Sequence, residues 1–145
     1  MHSICYLRKG VVYIPTLGMV NKGLYQHIEP VAMAPVSNTD ALRGIFSEVF
    51  ARGNPQVPLP EQPDTSPSVL LKYAGVKTWS TFARIASTWG VDERDGQYKI
   101  LGYRKDPPNG WVRDKTQDEV FPVGTTATDV VNRLIAILQG AAQTG

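Results

Sequence analysis

Apolar and polar positions change period several times along the chain, and each change marks an element. Ile4-Cys5-Tyr6-Leu7 and Val11-Val12-Tyr13-Ile14 are short β-branched and aromatic runs, and Arg8-Lys9-Gly10 between them predicts a hairpin. Leu24 to Val36 is a third extended stretch, which Pro30 and Pro35 restrict to an edge or irregular strand. The period then becomes helical. Leu42, Ile45, Phe46, Val49 and Phe50 fall on one face, Ser37, Asn38 and Thr39 offer N-caps, and Gly53-Asn54-Pro55 ends the helix.

Five prolines between Pro55 and Pro67 preclude both ladder and helix, so the stretch from about 53 to 68 reads as a long extended loop within one domain spanning 1–145. Ser68 to Ala74 is a short apolar helix or strand stopped by Gly75. Trp79, Phe82, Ala83, Ala86 and Trp89 mark a second helical face closed by Gly90. Gln97 to Arg104 alternates like a half-buried strand, with Asp95-Gly96 as the hairpin turn and Trp89 to Glu93 as the partner strand. Asp106 to Gly110 is another turn, leading to Trp111-Val112-Arg113 and then Glu119 to Pro122. Thr126 and Asp129 open a final helix to about Gln139, with Val130, Val131, Leu134, Ile135 and Leu138 as its buried stripe and Gly140 as its stop. These elements predict an α+β fold, a twisted and mainly antiparallel sheet with about three packed helices.

Composition bounds the class without naming a function. With 145 residues, 42% hydrophobic and 19% charged, the chain is globular and large enough for a core without staples. Its single cysteine allows no internal disulfide, and no apolar run is long enough for a membrane helix. The N-terminus lacks a signal-peptide layout, so a cytoplasmic protein with no membrane partner is expected. Lys+Arg 15 against Asp+Glu 13 gives a net charge of +2, too mild for a nucleic-acid binder that works by phosphate neutralisation.

Charge is unevenly placed, however. Seven acids and six bases lie between Val91 and Glu119, nearly half of all charge in a fifth of the chain. Such a block is either a solvated pair of hairpins or a partner surface. Tyr98, Tyr103 and Trp111 interleave with the charges, the mixture of aromatic anchor and charged rim that interfaces favour.

Candidate chemistry is sparse. No HExxH, GxSxG or phosphate-cradling glycine loop occurs, and no Cys/His spacing supports a metal or cofactor site. Cys5, inside an apolar run, reads as a small buried hydrophobe. His27 and Glu29 share a strand face by spacing, the one arrangement from which a small hydrolase site can be drawn, although no nucleophile is legible beside them. The carboxylates of 92–95 and 114–119 stand among Arg94, Lys99, Arg104, Lys105, Arg113 and Lys115, which favours surface neutralisation over acid–base catalysis. A second class of reading is a single-stranded nucleic-acid-binding module, stacking bases on Tyr6, Tyr13 and Tyr103 beside Arg8 and Lys9.

Two stretches carry a family resemblance. Val69-Leu70-Leu71-Lys72-Tyr73-Ala74-Gly75-Val76-Lys77-Thr78-Trp79-Ser80-Thr81-Phe82 is one. Tyr98-Lys99-Ile100, through Gly110-Trp111-Val112, to Phe121-Pro122 and the capped terminal helix is the other. Together they resemble the small cytosolic immunity proteins of bacterial contact-dependent growth inhibition systems, over roughly the second half of the chain. The resemblance implies a non-enzymatic α+β inhibitor, with no small-molecule substrate, that binds the C-terminal toxin domain of its own system, often a nuclease, by stoichiometric occlusion. On that reading Asp92, Glu93, Asp95, Asp114, Asp118 and Glu119 meet toxin cations while Tyr98, Tyr103 and Trp111 anchor the contact. Nuclease inhibitors of this kind are often acidic; this chain, at +2, departs from that pattern. Strand addition at a sheet edge is a further inhibitory geometry, for which the segment around Pro30 makes a poor edge.

Overall fold

A computed structural model describes residues 1–21, 23–58, 68–108 and 110–144. Lys9 and Gly10, both at positive φ (51° and 76°), turn β1 (His2–Arg8) back into β2 (Val11–Asn21), and Tyr6 faces Tyr13 across the pair. This is the twist a two-residue hairpin needs. β3 (Leu24–Pro35) pairs with β2 and forms one edge of the sheet, as its prolines predict. Between Pro15 and Thr16 the register jumps from Val31 to Ile28, leaving Glu29 and Pro30 out of the ladder.

α1 (Thr39–Arg52) starts where the Asn38 side chain accepts the Ala41 N–H at 3.1 Å, and it buries Leu42, Phe46 and Val49. The expected loop over about 53–68 falls largely on 59–67, outside the described residues. Its beginning lies along β2, since the Met19 N–H donates to the Pro55 carbonyl at 2.8 Å and the Val57 N–H to the Met19 carbonyl at 3.0 Å. α2 (Leu70–Ala74) resolves the open choice there in favour of helix, and Gly75 in the left-handed region ends it.

The second helical face is where pattern and structure part. α3 covers only Trp79–Arg84, and Ala86–Arg94 is a strand, β4, that pairs with β1 from Arg8↔Ala86 to His2↔Asp92. Trp89 is therefore a sheet residue. Ala83, Ala86 and Trp89 suit a helical period, but Ala86, Thr88 and Gly90 equally suit a strand. Seven ladder pairs with β1 decide between them, a gain no local pattern contains. Asp95 and Gly96, again at positive φ, turn β4 into β5 (Gln97–Leu101).

The strand expected to reach Arg104 breaks at Gly102. β6 (Tyr103–Asp106) leaves the main sheet and pairs with β7 (Gly110–Arg113) as a separate ribbon. A 3-10 turn at Lys115–Gln117 leads to β8 (Glu119–Val120), which pairs with β5. α4 runs Ala127–Thr144, through Gly140 rather than stopping there. Glycine in a helix costs about 1 kcal/mol relative to alanine. Here Ala141 and Ala142 pack on the core beyond it and carry the helix on.

The main sheet has the order β3-β2-β1-β4-β5-β8, with its named strands antiparallel, and the fold is α+β as expected. Four α-helices occur among the described residues where about three were expected. α1 and α4 cover one face, over Val12, Ile14, Phe46, Leu134 and Leu138. α2, α3 and the ribbon cover the other, over Tyr6, Tyr13, Leu70 and Phe82. No described helix is long and apolar enough to cross a membrane.

Candidate functional site

The nine residues of the charged block do not form one patch. Strand alternation sends Glu93 and Tyr98, paired across β4 and β5, to the α1/α4 face, and Asp92 to the opposite one. The Tyr98 ring stacks on Phe50 with centroids 6.3 Å apart, so much of its apolar surface is already used within the chain. Trp111 on β7 packs against Tyr6 and Trp79, at 5.6 and 5.9 Å, while the Lys105 ammonium lies 5.0 Å above its ring. Tyr103 on β6 sits under the Arg113 guanidinium at 5.3 Å, and burial raises its phenol pKa.

Most of the carboxylates have partners inside the chain. Asp92 binds His2 Nδ1 at 2.6 Å, Glu93 lies 3.7 Å from the N-terminal ammonium, and Glu119 holds Arg133 at 2.8 Å. Asp118 is the most deeply engaged. Its two oxygens accept both terminal nitrogens of Arg113 at 2.8 Å, and Oδ1 also accepts the Gly102 N–H at 2.7 Å. Arg113 donates once more to the Gly102 carbonyl at 2.6 Å. The charge-assisted fork from Arg113 lowers the Asp118 pKa from 3.8 to about 2. This staple locks the point where the chain leaves the sheet, and it requires glycine there: a Cβ at Gly102 would stand 2.4 Å from Gln117 Cβ and 2.8 Å from the Asp114 carbonyl. Asp114 caps the following 3-10 turn through Thr116 and Gln117, which holds its carboxyl below its ordinary value. Asp95, at the β4–β5 turn, is exposed.

His27 and Glu29 do not meet. The unpaired step at Glu29-Pro30 shifts Glu29 off the strand, where it takes Lys72 at 2.6 Å and the Tyr73 hydroxyl at 2.5 Å. His27 instead turns under α2, with Nδ1 2.7 Å from Ser68 Oγ and Nε2 3.1 Å from the Tyr6 hydroxyl. Burial lowers its pKa from 6.5 to about 4. Both ring nitrogens are engaged, and Ser68 Oγ also accepts the Leu70 N–H at 3.2 Å. The arrangement is a structural tie between β1, β3 and the start of α2, and it replaces the hydrolase geometry drawn from spacing.

Tyr6 and Tyr13, expected as a stacking platform for bases, are core residues flanking Phe82 at 5.6 and 5.8 Å. They pair across β1 and β2, and α3 covers the face they share. Cys5 is buried, which pushes its thiol up to about 12. Among the described residues no group of three or more His, Cys, Asp or Glu side chains is placed to hold a metal ion.

An open groove of about 500 Å³ runs beside the ribbon, between Trp79, Trp111 and the turn at Asp106, Pro107, Pro108 and Gly110. Sequence reasoning placed Trp111 at a surface but assigned Trp79 to a long helix, so their pairing was not legible. The Arg113–Asp118 staple was also missed as a pair. The five-residue spacing and Gly102 were its only signals, and neither points to a partner without the fold.

No family model matches the chain, and no curated protein does. Among solved structures, a protein of unknown function from Neisseria meningitidis superposes with a TM-score of 0.69 at 14% identity, over 97% of this chain and 93% of that one. A chain of the CdiA-CT/CdiI toxin and immunity complex from Yersinia pseudotuberculosis superposes with a TM-score of 0.63 at 12% identity, over 94% of this chain and 95% of that one. The fold is shared with both.

Proposed function

We propose that this chain is an immunity-type protein, a non-enzymatic inhibitor that binds the toxin domain of its own contact-dependent growth inhibition system and blocks it by stoichiometric occlusion. The supporting observation is a fold shared, over nearly the whole of both chains, with a member of a toxin and immunity complex. The toxin is a nuclease on this reading, and the encounter takes place in the cytoplasm of the cell that makes both. Two features of the molecule agree with an inhibitor. His27 and Ser68 are occupied by bonds to neighbouring elements, and the charged block is braced by its own ion pairs.

That bracing refines how the nine residues contribute. Among the described residues Asp95 and Asp114 carry no ion pair; Asp95 is exposed and open to a toxin cation, whereas both oxygens of Asp114 already accept hydrogen bonds from Thr116 and Gln117. Asp92, Glu93, Asp118 and Glu119 act through the field of already paired groups, and so affect encounter rate more than affinity. Tyr103 and Trp111, half-buried on the ribbon, are rigid anchors at low entropy cost, whereas Tyr98 lies on the α1/α4 face, stacked on Phe50 and apart from them. The test is co-expression with the polypeptide encoded directly upstream. A complex of one copy of each, together with rescue of growth, is expected. Failure to form a complex and to rescue growth refutes the reading.

A further inference from the structure

Among the described residues six carboxylates have a basic partner within the chain, while only four Lys/Arg side chains (Arg43, Lys72, Arg113 and Arg133) are used to hold them, the other two partners being the N-terminus and His2. Glu29, Asp40, Glu93, Asp118 and Glu119 hold cations, and Asp92 binds the His2 ring. Lys9, Arg84 and Lys105 have no ion pair among the described residues, and they meet at one end of the molecule. At that end β1 turns into β2, α3 hands over to β4, and the ribbon folds back so that the Lys105 ammonium donates to the Ala83 carbonyl. Ile85, next to Arg84 and 46% exposed, is a large apolar side chain at this end, and it lines one of two hollows there. One hollow, of about 200 Å³, is bounded by Ile85, Lys9, Ser87 and the last turns of α4; the other, of about 100 Å³, by Arg84, Lys105 and the Pro107-Pro108 turn. Among the described residues no acidic side chain lines either, and Asp106, next to Lys105, lines the adjoining groove at Trp79 and Trp111 instead.

Arg8 supplies the second observation. It lies at the same end, opposite Ala86, only 6% exposed, with its guanidinium 5.6 Å over the Phe82 ring. Its Nε has no hydrogen-bond partner, and it makes no ion pair among the described residues. Its pairing with Ala86 puts a further, weakly screened positive charge at the end of the sheet where Lys9 and Ile85 lie.

We propose that this end is a docking surface for an acidic protein face, with Ile85 as its apolar anchor and Lys9, Arg84 and Lys105 as its cationic rim, underlain by Arg8. This deepens the immunity reading and rests on it: the toxin domain then presents carboxylates around a small apolar socket, in keeping with a chain at +2 rather than a strongly acidic inhibitor. Charge complementarity selects the occupant. The apolar anchor at the centre suits a protein, which offers a socket, better than a phosphate backbone, which offers none.

The experiment measures affinity of the full chain for the polypeptide encoded directly upstream, at low and moderate salt. Lys9→Glu with Arg84→Glu is expected to weaken binding about 100-fold, mostly in association rate, and to flatten or reverse its salt dependence. Ile85→Ser is expected to weaken it about tenfold, mostly in dissociation rate. Asp129→Asn, at the start of α4 and outside this end, serves as the unchanged control, and thermal melting verifies that each variant folds. If the unaltered chain binds and the double variant binds equally well, the surface is overturned while the immunity reading stands. If the unaltered chain does not bind, both fall. Tighter binding of the unaltered chain to a labelled single-stranded oligonucleotide or to anionic phosphatidylserine vesicles than to the upstream polypeptide, lost in the double variant, also overturns the acidic-protein occupant.

Discussion

Asp118→Asn tests the staple that sets the ribbon against the sheet. The substitution keeps shape and volume but removes the charge and one acceptor facing Arg113. In the folded chain the carboxyl pKa is about 2, against 3.8 ordinarily. At about 1.4 kcal/mol for each tenfold in proton affinity, that difference is worth about 2 kcal/mol. Asp118 is only 10% exposed, so little of this is lost to solvent on its side; Arg113, at 33%, loses some. The sign follows from linkage. Above pH 4 the unfolded and folded carboxylates are both ionised and the full stabilisation is present. As pH falls from 4 towards 2 the unfolded chain takes up its proton first, and the contribution disappears. Urea unfolding at pH 7 should therefore show the variant about 2 kcal/mol less stable than the unaltered chain, with an unchanged m-value. The gap should close as the series is carried down to pH 2. A difference that stays constant from pH 7 to pH 2, or no difference at pH 7, would show that the Arg113 fork is not what holds Asp118 ionised.

Three further outcomes follow from particular contacts. His27, with a folded pKa near 4 against 6.5, should make stability fall as pH drops from 6.5 to 4, by up to about 3 kcal/mol, because the unfolded chain binds the proton first; His27→Gln should lack this segment of the pH profile, and an unaltered profile would refute the buried tie. Gly102→Ala drives a methyl into Gln117 and the Asp114 carbonyl and should cost about 2–3 kcal/mol, read as a lowered melting temperature; an unchanged one would refute the close approach. Cys5, buried with its thiol pushed up to about 12, should react with a disulfide-exchange reagent at least about 100-fold more slowly in the native chain than in urea, and ordinary reactivity in the native chain would contradict its packing.

Much of the fold was legible because its signals are local. Lys9-Gly10 and Asp95-Gly96 are turns that only certain residues enter at positive φ, Asn38 and Thr126 are caps read from their own side chains, and the stripes of α1 and α4 repeat often enough to exclude a strand. The stretch from Ala83 to Gly90 was not legible. Small residues there satisfy two periods, and the choice rests on seven ladder pairs with β1, separated in sequence by 78 (Arg8↔Ala86) to 90 (His2↔Asp92) residues. Gly140 illustrates the converse: a local stop signal was overridden because Ala141 and Ala142 gain more from packing than the glycine loses.

The charged block marks the same division. Sequence alone determined its composition, its aromatic interleaving and the alternation that puts Asp92 and Glu93 on opposite faces. Only tertiary structure decided which charges remain available. Ion pairing is a matter of a few ångströms between side chains far apart in the chain, as between His2 and Asp92 or Glu119 and Arg133. The near-balance of 15 bases and 13 acids therefore resolves, on folding, into a largely braced set of carboxylates and an end around Ile85 where Lys9 and Arg84 have no ion pair among the described residues. Spacing fixes which face a residue takes, but electrostatic availability depends on what the rest of the fold brings to that face.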